Sequence, residues 1–74
     1  MTSKEKRLNN VLKRSERAIS KIDKEMDNLD KARDKVSMES AEYYLLSKAA
    51  ESLNEAKGHL EIVRNRIKTQ LKEG

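Results

Sequence analysis

The sequence predicts an all-α protein, an antiparallel helical hairpin of two long helices that assembles into a four-helix bundle or a higher helical oligomer. Three observations lead there. Charged residues make up 41% of the 74 positions and aromatic residues 3%, with no proline, a composition of long helices and coiled coils rather than of a sandwich or barrel. The apolar residues recur at alternating spacings of three and four, a register that a disordered tail has no need of. They form two rows that are out of step, because Val36 and Leu46 lie ten residues apart, three more than one heptad.

The first helix is expected over about residues 3–36. Thr2-Ser3-Lys4-Glu5 has the spacing of a capping box, in which a hydroxyl takes an orphan amide and the later carboxylate answers it. The core row of this helix reads Leu8, Leu12, Ser15, Ile19, Ile22, Met26, Leu29, Arg33, Val36. The phase break falls beside Ser37 and Ser40, both good N-cap residues, so a turn is expected at about 37–40 and a second helix at about 40–72. No glycine or proline marks that turn, and one continuous helix with a stammer would show the same three-residue slip. The second row reads Leu46, Ala49, Leu53, Ala56, Leu60, Val63, Ile67, with Leu71 extending it. In the hairpin, position i of helix 1 is expected opposite roughly position 75 minus i of helix 2. Arg33 then faces Glu42, which predicts an ion pair near the closed end that fixes register more than it stabilises.

At 74 residues the chain makes a single domain, 1–74, near the size at which a lone core needs a staple or a partner. There is no cysteine, so disulfides and thiolate metal sites are excluded, and one histidine, His59, cannot build a zinc site. Helix 2 carries an apolar stripe broader than one neighbour can cover. Small residues there, Gly58 among them, allow a further helix to approach closely, so self-association is the expected remedy. The longest apolar run is Tyr43 to Leu46, against the roughly 20 residues a membrane span needs, and no secretory signal is present. A cytoplasmic location and no membrane partner are expected.

Charge is what points beyond architecture. Wound at about 100° per residue, helix 1 sorts itself into an apolar, an acidic and a basic face. The basic sector holds Lys6, Arg7, Lys13, Arg14, Arg17, Lys21, Lys24, Lys31 and Lys35, while Glu5, Glu16, Asp23, Asp27, Asp30 and Asp34 gather elsewhere. Antiparallel pairing also sorts charge along the axis. Residues 1–24 carry +5 and 62–74 carry +3, so the open end holds +8, against −4 for residues 25–61. Arg64, Arg66 and Lys68 add cations to that end from helix 2, and Arg64 sits near the edge of the apolar stripe.

A basic stripe of this length suits phosphates or an acidic protein surface, and it also serves as a solvated face that keeps a protein in solution. Tyr43 and Tyr44, the two aromatics, fit the sealing of a bundle end better than base stacking, because Glu39, Glu42 and Glu51 surround them. His59 falls on the surface. No nucleophile motif, glycine-rich phosphate loop, metal spacing or paired carboxylate appears, so neither catalysis nor a cofactor is expected. The expectation is therefore a non-enzymatic homo-oligomer that binds or sequesters an anionic ligand, nucleic acid or a small nucleotide. Its ligand residues would be Lys6, Arg7, Lys13, Arg14, Arg17, Lys21 and Lys24, joined by Arg64, Arg66 and Lys68. Two alternatives stand beside it: a small phage or mobile-element inhibitor or adaptor that lays its helix on an acidic host protein surface, and a structural bundle whose charges pair among themselves.

Overall fold

In the computed structural model, which describes residues 2–73, the side-chain oxygen of Thr2 accepts the Glu5 N–H at 3.1 Å, and the Thr2 hydroxyl donates to the Glu5 carboxylate at 3.3 Å. This closed cap starts helix α1 (Ser3–Arg33), with Glu5 against the positive helix end and Lys31 and Arg33 against the negative one. α1 stops at Arg33, three residues before the expected end. The backbone leaves it through tight three-residue closures, Lys35 N–H to the Ala32 carbonyl and Val36 N–H to the Arg33 carbonyl. A further closure from Ser40 to Ser37 completes the seven-residue turn at 34–40. No residue in it takes a positive φ, which is why the reversal needs no glycine. Ser40 then caps helix α2 (Ala41–Glu73) by accepting the Tyr43 N–H at 3.1 Å, while its hydroxyl donates to the Ser37 carbonyl at 2.6 Å.

The two helices pack against each other as a hairpin, a rod of 54 × 14 × 13 Å, and one continuous helix is excluded. Two contacts set the register. Lys57 Nζ lies 2.6 Å from the Asp23 carboxylate, and Arg33 donates to the Ser47 hydroxyl at 3.3 Å; each pair of numbers adds to 80. Pairing therefore follows a rule near 79 to 80 rather than 75, because α1 ends three residues early and the turn takes up residues 34–40. The expected Arg33–Glu42 ion pair does not form. Arg33 instead pairs with Asp30 on its own helix and holds its guanidinium 5.8 Å from the centre of the Tyr43 ring.

The seam of α1 follows the expected row, with Ser15 and Ile19 buried. The seam of α2 is rotated by one residue from its expected row at every second position. It reads Tyr43, Leu46, Ala50, Leu53, Lys57, Leu60, Arg64, Ile67, Leu71, all of them half-buried or buried, while Ala49 and Val63 are exposed. Lys57 and Arg64 can occupy seam positions because their aliphatic stems cover the partner helix while their charged heads reach the rim. Register places Ser15 level with Arg64, and that small residue leaves room for the stem. The Ser15 hydroxyl is satisfied within its own helix, donating to the Val11 carbonyl at 2.8 Å.

The resulting core is thin. Ile19 and Ile67 are the buried apolar residues among those described, and no side chain is buried completely. No helix among the described residues is long and apolar enough to cross a membrane.

Candidate anion-binding surface

Seven-residue periodicity divides each helix into a seam, two flanks and an outer face, and the basic residues of α1 fall on its outer face. From Lys6 to Lys24 that face presents Lys6, Arg7, Lys13, Arg14, Arg17, Lys21 and Lys24, interleaved with Asn10 and Ser20 and with no acid. All seven cations are exposed. At 1.5 Å per residue they form a strip roughly 27 Å long. Beyond Lys24, Asp27 and Asp34 enter the margin and the strip loses its single sign.

Four acids of the rod are engaged with cations outside the strip, while Glu16, Glu25 and Asp27 on α1 join no ion pair among the described residues. Among the described residues, Asp23 pairs with Lys57, Asp30 with Arg33, Glu61 with Arg64 at 3.9 Å and Glu51 with Lys48 at 3.5 Å, and none of the seven strip cations joins an ion pair. The Asp23 carboxylate, by its hydrogen bond and its charge, holds the Lys57 ammonium above its ordinary value. Within one chain, the ion pairs among the described residues fall on Arg33, Lys48, Lys57 and Arg64 and none on the strip.

The shape of the strip is open. Arg17, Ala18, Ser20, Lys21 and Lys24 line one shallow groove on it, and Lys6, Asn9, Asn10 and Lys13 line another. Neither encloses a ligand. Such a surface tracks an extended anion along its length and offers no closed pocket for a compact one.

On α2 the three expected cations separate. Arg64 is half-buried in the seam and committed to neighbours, its Nε donating to the Asn65 side-chain oxygen at 3.3 Å. Arg66 and Lys68 are exposed, but register puts them on opposite flanks of the rod, so they do not form one site with Arg64. Both lie at the open end, with Arg66 lining a groove with Asn65, Thr69 and Gln70. Tyr43 is half-buried over the closed end and Tyr44 is exposed, its ring centre 5.8 Å from the Lys48 ammonium. His59 is exposed.

The residue that sequence reasoning missed is Lys57, which stands in the seam and carries the one ion pair that ties α1 to α2 among the described residues. Its signal was present: starting from Tyr43, a strict alternation of three and four passes through Lys57 and Arg64, whereas the more apolar row through Ala49, Ala56 and Val63 is shifted by one position. Comparison of the chain with protein-family models, with curated proteins and with solved structures found no match.

Proposed function

We propose that this protein is a non-enzymatic, self-associating helical hairpin that binds nucleic acid through the outer face of α1, with Lys6, Arg7, Lys13, Arg14, Arg17, Lys21 and Lys24 contacting backbone phosphates and Arg66 and Lys68 extending the field at the open end. One observation carries this reading: seven exposed cations share one face with no acid among them, and none of them joins an ion pair among the described residues. Left in water, such a strip repels itself, and a polyanion removes that cost while releasing its own condensed counterions. The strip's length and lack of an enclosed pocket favour a nucleic-acid backbone over a single nucleotide. A surface of this kind, with no concave pocket for bases, acts stoichiometrically by coating or masking its partner. Assembly into a four-helix bundle belongs to the same reading, since the thin core leaves apolar surface in need of cover.

The test begins with the purified protein, denatured and examined by ultraviolet and mass spectrometry. With no tryptophan and two tyrosines, the chain absorbs weakly, so co-purified nucleic acid dominates near 260 nm. Released oligonucleotide supports the proposal. A clean spectrum together with no retention of added oligonucleotide at low salt rejects it, and moves the assignment to an acidic protein partner.

A further inference from the structure

The two flanks of the rod differ in kind. At equivalent heptad places one flank carries Asn9, Glu16 and Asp23 on α1 with Ser47, Asn54 and Glu61 on α2, all polar. The other carries Val11 and Ala18 on α1 with Ala49, Ala56 and Val63 on α2, Glu42 at its closed end, and Leu45 beside it one step toward the outer face. Along it three large side chains stand in solvent, Val11 at 44%, Leu45 at 63% and Val63 at 40% exposure. We infer that this flank packs against the same flank of a second copy, with the two hairpins antiparallel. The inference rests on the self-association in the functional reading and not on its ligand.

Size, charge and position argue for that occupant. One long side of a rod of 54 × 14 × 13 Å is close to the roughly 800 Å² per partner that a stable dimer buries. Parallel stacking would lay one +8 end on another, whereas a two-fold axis across the rod lays each basic open end over the partner's half that carries −4. The apolar flank runs from Val11 to Leu45, and Leu45 is level with about residue 34 of α1, so its midpoint falls near residue 22, beside Ala56. An axis there sets Ala56 against its own copy and brings Glu25, the acid on this flank of α1, to the partner's Lys21. The same axis lays α1 along the partner's α1, so the two basic strips join on one side of the four-helix bundle.

The experiment is sedimentation equilibrium on the full chain combined with thiol crosslinking, which the absence of native cysteine makes clean. The expected mass is twice the 8.6 kDa of one chain. Ala56→Cys crosslinks to its own copy through a short bis-maleimide, and Leu45→Cys does not, because antiparallel stacking holds its copies roughly 36 Å apart along the axis. Ala49→Glu halves the mass or unfolds the chain, whereas Asn54→Glu, on the polar flank, leaves the dimer intact. A helical chain of 8.6 kDa overturns the inference, as does equal crosslinking at positions 45 and 56 or dissociation by Asn54→Glu alone. A dimer that behaves as described yet binds no nucleic acid refutes the ligand and supports this interface.

Discussion

Ile67→Ala tests the rotation of α2, on which every assignment of seam, flank and outer face depends. Ile67 is 6% exposed and Ile62, five residues earlier on the same helix, is 56% exposed. Truncation to alanine removes roughly three carbons, each about 0.8 kcal/mol when buried, so Ile67→Ala loses about 2 kcal/mol of transfer free energy before any cavity term. Its half-exposed neighbours can close over the gap, which keeps the total at the low end of the usual range of about 2–5 kcal/mol. Ile62→Ala loses less than half as much apolar burial and gains helix propensity, for a net cost of about 0.5 kcal/mol or less. The assay is urea denaturation followed by far-ultraviolet circular dichroism at fixed protein concentration, comparing midpoints at unchanged slope. Equal costs at the two positions would refute the helix orientation and with it the placement of Lys57 and Arg64 in the seam.

Ser40→Ala removes the cap of α2 and should cost about 1 kcal/mol in the same denaturation assay, whereas Ser37→Ala, whose hydroxyl accepts only a long 3.3 Å bond from the Glu39 N–H, should cost less. Gly58→Ala should stabilise by up to about 1 kcal/mol, read as a raised urea midpoint, because a Cβ there meets nothing within 4 Å; destabilisation would mean that another helix packs on Gly58. Since Asp23 raises the Lys57 pKa above its ordinary 10.5, the contribution of that pair is complete below about pH 10.5 and disappears as pH rises through the folded value. Stability measured against pH should therefore fall in that alkaline window, and Lys57→Met should remove this component of the fall.

The hairpin was legible because its signals are local and redundant: a capping box at Thr2, a strict apolar alternation through α1, and capping serines at the phase break. The register was not, because it depends on where α1 stops. Three-residue closures at Lys35 and Val36 end the helix early without any glycine or proline to announce it. That shift took Arg33 away from Glu42 and gave it Asp30, Ser47 and the Tyr43 ring. The rotation of α2 was ambiguous for a different reason. Apolar residues lie on both the seam and the adjoining flank, and hydrophobicity alone favours a row through Val63 over one through Arg64. Only the ability of Lys57 and Arg64 to bury stems and keep heads at the rim decides between them. The basic strip needed no tertiary information, since a single helix fixes which of its own residues share a face. That Asp23 pairs across the seam with Lys57 did need it, since sequence alone does not say which cation an acid meets.

The central claim is that the outer face of α1 binds a polyphosphate backbone, and the most direct measurement is fluorescence anisotropy of a labelled oligonucleotide titrated with protein across a range of salt concentrations. If the seven strip cations each meet a phosphate of duplex DNA, the logarithm of the association constant falls linearly with the logarithm of salt, with a slope of about −6. Reversing Arg14, Arg17 and Lys21 to Glu should abolish binding at physiological salt while the circular dichroism spectrum stays helical. Binding that survives the triple reversal, or an affinity indifferent to salt, would contradict the account.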